Sequence, residues 1–267
     1  MQVIAKDISV QFGGFQALNK VSFQAKAGTF STIVGPNGSG KTTLLRAMTG
    51  DLAYEGDISM NGLPARSTKT LELAQIRAVL PQSSTIAFPF TVLELVRLGL
   101  TAGLSSTQTD NLEALVHLAL NKVGLSGYEG HLVQELSGGQ RQRAQLARVL
   151  VQVWEPILNG QPRWLFLDEP VSALDIGHQL LIMQIAREFA EAGGGVVAVM
   201  HDLNLTAMFS DQVTLLAQGE CVASGAPKEV LTDLNLSTSY GCALRTNTPP
   251  PFEGPWILPQ AAQWRGH

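Results

Sequence analysis

The sequence predicts an α/β fold: a parallel sheet covered by helices, with a small antiparallel β subdomain beside it and a helical subdomain inserted into it. Three observations carry this prediction. Apolar runs without alternation occur at 29–34 (TFSTIV), 164–168 (WLFLD) and 194–200 (GGVVAVM), and helical spacing follows each. Strands buried on both faces read this way, and repeated strand–turn–helix units give α/β architecture. The first thirty residues differ, because two strand-like pieces flank a Gly13–Gly14 turn. From residue 83 to about 160, buried-strand runs give way to apolar spacing of three and four.

Taken in order, residues 3–30 form the strands of the small antiparallel sheet, and EGDISMNG (55–62) adds another. A helix starts within GKTTLLRAMTG and ends near Gly50, where glycine suits a helix stop. RAVLP (77–81) is strand-like. VLELVRLGL (92–100), NLEALVHLALNKVG (111–124) and RQRAQLARVLVQV (141–153) are the inserted helices. Helices also run from about Ile176 to Ala192 and, more briefly, after Leu203. The division expected is one domain over 1–245, its helical insert at about 83–160, and a proline-rich extended tail over 246–267.

Composition bounds the function. The 267 residues are 45% hydrophobic, enough for one large core, and the net charge of -4 gives no sign of a nucleic-acid partner. Cys221 and Cys242 have no metal-type spacing and read as reduced thiols. Lys6 and Asp7 interrupt the place of a signal peptide's apolar run, and stretches such as 196–200 are too short to span a bilayer. A soluble, cytoplasmic chain is expected, held at any membrane by something else.

GPNGSGKT, Gly35-Pro36-Asn37-Gly38-Ser39-Gly40-Lys41-Thr42, matches G-x-x-x-x-G-K-[ST] between a predicted strand and a predicted helix. Its glycines free backbone N–H groups to wrap phosphates, and the helix N-terminus adds partial positive charge. Lys41 supplies a point charge for the terminal phosphates, and the Thr42 hydroxyl suits Mg²⁺. Thr43 extends the nucleotide-contacting run. A chance match anywhere in the chain has odds of about one in a hundred.

WLFLDEP (164–170) drives an apolar strand into two carboxylates. A buried acid at a strand end needs a positive partner, so Asp168 is expected to orient Mg²⁺. Glu169 points elsewhere and is the candidate general base for an attacking water. His201 follows another parallel strand, at the carboxyl edge where α/β sheets bind ligands, and can reach the γ-phosphate or the water. Gln82, after RAVLP, belongs to the same edge, with an amide able to ligate Mg²⁺ or orient water.

LSGGQRQR (136–143) is a second anion site at a helix N-terminus, and it has no lysine. Ser137 is a good N-cap, and the two glycines leave backbone N–H groups bare. Such a turn binds phosphate only when other groups already hold it. Two chains facing head to tail would let each Ser137–Gly139 turn close over ATP held by the other.

Together these motifs resemble the ATP-binding subunits of ABC transporters, in order from about residue 3 to 245. Gly35–Thr42, Gln82, Leu136–Gln140, Leu165–Glu169, SALD (172–175) and His201 stand for the Walker A, Q-loop, signature, Walker B, D-loop and H-switch. The resemblance implies a phosphate-loop NTPase core, ATP and Mg²⁺ as cofactors, a head-to-tail homodimer and a membrane permease dimer as partner. It also implies that Ser137, Gly138, Gly139 and Gln140 contact ATP on the opposite subunit, with Asp175 near that nucleotide. Phe12 takes the place of the family's adenine-stacking tyrosine, and Val171 replaces the Thr or Ser that often follows Asp168-Glu169-Pro170.

The stretches 83–99, 153–170, 175–179 and 201–211 are similar to the hemin-import branch of the family in Gram-negative bacteria. That similarity implies hemin as cargo, a periplasmic hemin-binding protein, and a peripheral position on the cytoplasmic face of the inner membrane. Ferric siderophore or vitamin B12 importers, or a soluble ATPase such as that of iron–sulfur assembly, are the alternatives. The segment 83–96, with Phe88 and Phe90, is the expected dock for the permease. His117, His131, His178 and His267 have no paired-ligand context for haem, and His178 is expected at the subunit interface. Arg141, Arg143 and Arg148 are expected on a solvated or interface helix face.

Overall fold

The computed structural model describes residues 1–82, 88–103, 112–172, 174–249, 251, 253–255 and 257–262. The chain opens with β1 (Gln2–Phe12), β2 (Phe15–Lys26) and β3 (Phe30–Val34), then α1 (Lys41–Met48), β4 (Glu55–Met60) and β5 (Leu63–Pro64). Next come α2 (Thr70–Ile76), β6 (Arg77–Leu80), and the helices α3 (Val92–Gly103), α4 (Leu112–Lys122) and α5 (Gly138–Gln152). A short hairpin, β7 (Ile157–Leu158) and β8 (Gln161–Pro162), leads into β9 (Trp164–Asp168). α6 (Ile176–Glu191), β10 (Gly195–Val199), α7 (Leu203–Phe209), β11 (Gln212–Ala217), β12 (Glu220–Gly225), α8 (Pro227–Val230) and α9 (Asp233–Tyr240) follow.

The central sheet has six strands in the order β12-β11-β3-β10-β9-β6. All neighbouring pairs are parallel except β11 with β12. β3, β9 and β10 are buried along their whole length, which explains their continuous apolar runs. Their residues alternate between two cores. Trp164, Phe166, Val197 and Val199 pack with α1 and the antiparallel sheet, whereas Leu165, Leu167, Val196 and Ala198 pack with the helical side. The second sheet, β2-β1-β4-β5, is antiparallel. Asn61 joins it to the main sheet by accepting the Trp164 indole N–H at 3.0 Å.

α5 sits at the centre of the helical insert, packed against α3, α4 and β6. α3 approaches so closely that a Cβ on Gly99 would lie 2.0 Å from the Arg148 carbonyl oxygen. This packing corrects the expectation of a solvated arginine face. Arg143 is buried, and its Nη1 donates to Val123 O and Gly124 O at 2.8 Å, closing the C-terminal end of α4. Arg148 is largely buried as well, and desolvation holds both guanidinium pKa values below their usual range. Arg141 is the exposed member of the three and donates to Leu136 O.

The β7–β8 hairpin interrupts the loop before β9, where sequence periodicity gives no strand. In the tail, a 3₁₀ turn at Pro259–Ala261 rests on α7, and Gln260 Nε2 donates to Asn204 Oδ1 at 3.1 Å. Cys221 and Cys242 are exposed and free. Among the described residues, no helix is long and apolar enough to cross a membrane.

Candidate functional site

The parallel register brings four strand ends to one edge. Val199 pairs with Ile33 and with Asp168, and Leu80 with Leu167. Gly35, Asp168–Glu169, His201 and Gln82 therefore leave the sheet together, although more than a hundred residues separate some of them in sequence. The convergence follows from topology alone.

The loop after β3 turns on glycine. Gly35 has φ +148, and a Cβ there would lie 2.0 Å from Leu216 O. Gly40, with φ +98, would put a Cβ 2.6 Å from Leu18 Cδ2. Positive φ and close packing together exclude larger residues. α1 starts at Lys41, whose Nζ donates to Gly35 O and Pro36 O, both at 2.9 Å. Burial lowers the Lys41 pKa, opposed by the carboxylates of Glu169 and Asp168.

Residues 37–43 line a cavity of about 240 Å³ together with Phe12, Phe15, Ala17, Glu169 and His201. Phe12 and Phe15 pair across the Gly13–Gly14 turn, and the two residues are 49% and 65% exposed at the mouth. Sequence reading found Phe12 and missed Phe15. The signal was present, since a two-residue hairpin turn places its flanking residues opposite each other.

Asp168 ends β9 and Glu169 follows it with a left-handed backbone, and the two side chains have different partners. Asp168 is 3% exposed and accepts the Thr42 hydroxyl at 3.0 Å. Burial raises its pKa, and the Thr42 hydrogen bond opposes the rise. Asp168, Thr42 and Gln82 line an adjoining cleft of about 410 Å³, with Gln82 exposed at its rim. Glu169 has φ +50, a left-handed backbone uncommon for a side chain of its size. Its N–H donates to Val199 O at 3.1 Å, and its Oε1 lies 2.6 Å from His201 Nε2. A carboxylate directed into the cavity and backed by an imidazole is suited to taking a proton from a water.

The remaining predicted residues lie elsewhere in the same chain. Ser137 caps α5 in a reciprocal box, with Gln140 N donating to Ser137 Oγ at 3.2 Å and Ser137 N to Gln140 Oε1 at 3.0 Å. Ser137 and Gly138 are exposed, and the 137–140 turn does not line the Lys41 cavity. Asp175 caps α6 through the His178 N–H at 2.9 Å and also meets the His178 ring. That N–H and the ring hold the Asp175 pKa down. His117 lies 3.6 Å from Glu129, and His131 stacks on Tyr128 with centroids 5.0 Å apart. His267 lies outside the described residues, as do 83–87 of the expected dock and Ala173 of SALD.

The buried carboxylate at 168 has a stability consequence. A folded-state pKa raised above the unfolded value means that stability is lost as pH rises through the folded pKa. In metal-free buffer, Asp168→Asn is therefore expected to raise Tm above the carboxylate range, by about 2–4 °C for each kcal/mol relieved. The amide still accepts the Thr42 hydroxyl. The gain should disappear at acid pH, where Asp168 is already neutral, and calorimetry at two pH values checks both parts.

The sequence profile of the ABC transporter family matches residues 18–172. The hemin import ATP-binding protein HmuV of Jannaschia sp. (strain CCS1) is 58% identical over 98% of this chain and 95% of its own length. The protein of that name from Roseobacter denitrificans is 56% identical over 98% of this chain and 99% of its own. Among solved structures, a nucleotide-free ATP-binding cassette from an ABC transporter superposes with a TM-score of 0.76 at 24% identity, covering 90% of this chain and 99% of its own. A dimeric cassette in a post-hydrolysis state, bound to ADP and Pi, gives 0.73 at 27% identity over 84% of this chain and 98% of its own. The cavity at the sheet edge and these likenesses lead to one assignment: the chain belongs to the ABC transporter family, among its ATP-binding subunits.

Proposed function

We propose that this chain binds and hydrolyses ATP to drive a membrane importer of hemin. The observation that carries the ATPase reading is the convergence of Lys41, the Thr42–Asp168 pair and the Glu169–His201 pair on adjoining cavities. Lys41 exchanges its two loop carbonyls for phosphate oxygens, and the backbone N–H groups of 37–43 cradle the rest of the phosphate chain. Phe12 and Phe15 offer rings to the adenine at the mouth.

Mg²⁺ fits the oxygen donors present, because Asp168 is a buried carboxylate whose side-chain hydrogen bond among the described residues is to the neutral Thr42 hydroxyl. Thr42, Asp168 and Gln82 would hold the ion, which when bound neutralises phosphate charge. Glu169 accepts the proton of the attacking water, and His201 keeps that carboxylate aimed.

The cargo reading rests on likeness to proteins named for hemin import, at 50–58% identity over nearly the whole chain. On this reading two chains pair head to tail, with Ser137, Gly138, Gly139, Gln140 and Asp175 serving the nucleotide across the interface. The pair sits on the cytoplasmic face of the inner membrane beneath a permease dimer, which a periplasmic hemin-binding protein supplies. Residues 1–245 are the ATPase unit, 83–160 its helical insert and 246–267 its tail. Reconstitution with a hemin-importer permease tests the cargo. Hemin should stimulate transport and ATP hydrolysis, and stimulation by a ferric siderophore or cobalamin instead would overturn hemin as the cargo.

Phe88 and Phe90 mark the proposed permease dock. Phe88 is 63% exposed with its ring centroid 4.9 Å from that of Phe90, and Phe90 packs on the helical core. Replacing both with Ala should abolish permease-stimulated hydrolysis while leaving the isolated ATPase rate within about twofold, a difference of about 0.4 kcal/mol. Unchanged transport in that variant would remove the dock from this segment.

A further inference from the structure

α5 connects two parts of the molecule. At its start, Ser137 and Gly138 are exposed. One turn further on, the half-buried Gln142 reaches into the catalytic edge, and its Nε2 donates to the backbone carbonyl oxygen of Glu169 at 3.1 Å. That carbonyl belongs to the residue with φ +50. It is also reached, at longer range, from within its own turn by Ser172 Oγ at 3.3 Å and Ser172 N at 3.4 Å. The two peptide units that flank the Glu169 Cα are therefore each held, the preceding one through its N–H by Val199 O and the following one through its carbonyl by Gln142. Twisting either unit changes the backbone torsions at Glu169 and would shift the carboxylate relative to His201.

We infer that Gln142 is a positioning residue for hydrolysis: it ties the peptide carrying the proposed base to the helix that begins at the Ser137–Gly139 turn. The inference rests on the reading of Glu169 as the base. A helix is stiff over one turn, so a displacement at Gly138 reaches Gln142 with little loss. Methionine is the uncharged analogue without a donor that roughly keeps the length and volume of the side chain. Lysine keeps a donor of nearly the same reach.

The test compares kcat, KM for ATP and Tm in the full-length wild-type chain and in Gln142→Met, Gln142→Ala and Gln142→Lys. Losing the tether should lower kcat about tenfold in the Met and Ala variants, with KM within about twofold. The lysine variant should recover most of the rate. Full kcat in both Met and Ala would overturn the inference. So would a parallel fall of kcat and Tm that lysine does not rescue, which would make Gln142 a packing residue only. Glu169→Gln, run alongside, separates the failures: a fully active Glu169→Gln removes the base, whereas an inactive Glu169→Gln beside a fully active Gln142→Met removes the tether alone.

Discussion

Glu169→Gln should lower ATP hydrolysis by about 10² to 10⁴-fold while leaving ATP binding intact. The amide has the shape of the carboxylate, and its Oε1 can still accept from His201 Nε2, so the 2.6 Å contact has a replacement. The backbone contacts at 169 do not involve the side chain and should survive. What is lost is the capacity to take a proton from the attacking water. ATP should therefore accumulate in a closed complex that does not turn over, visible as a nucleotide-dependent dimer in size-exclusion chromatography. Hydrolysis near the wild-type rate would remove Glu169 as the base and leave the 2.6 Å pair without a chemical role.

The parts of the site that sequence made legible share one property: short-range pattern determines them. The glycines at 35, 38 and 40, with Lys41 and Thr42, are needed at fixed offsets because backbone wraps a phosphate there. β3, β9 and β10 read as strands because both of their faces are buried, which removes polar residues from the run. Ser137 with Gln140 three residues later is a capping box that sequence can display directly.

Contacts that depend on tertiary packing were not legible. The β7–β8 hairpin has two residues in each strand, too few to show a period. β12 lies at the sheet edge with most of its residues exposed, so it lacks the apolar run of its neighbours. Arg143 and Arg148 look like surface charges in sequence, but α5 is packed against α3, α4 and β6, and Arg143 serves as the donor that the end of α4 requires. The Gln142 tether joins positions 27 residues apart, and no spacing rule announces it.

Two phosphate-directed turns in one chain raise the question of whether both serve one nucleotide. In the folded chain the Lys41 cavity is lined by residues 37–43, and the 137–140 turn lies outside it. The reading that unites them is that each turn closes on ATP held by a second copy. Gly138 offers a sharp probe, because a Cβ there would meet nothing within 4 Å. An aspartate fits the isolated chain at no steric cost, and its charge is favourable at the start of α5. It becomes harmful only when a phosphate approaches from outside. Gly138→Asp should fold with unchanged Tm and still fail to close on ATP, and Lys41→Ala should fail because its own cavity holds phosphate poorly.

The central claim of a shared site is tested most directly by mixing these two variants and counting occluded ATP. A heterodimer has one site with both defects and one with neither, made from the Lys41 cavity of the Gly138→Asp chain and the intact turn of the Lys41→Ala chain. The mixture should occlude ATP that neither variant occludes alone. Occlusion no greater in the mixture than in the separate variants would contradict a turn that acts across the interface.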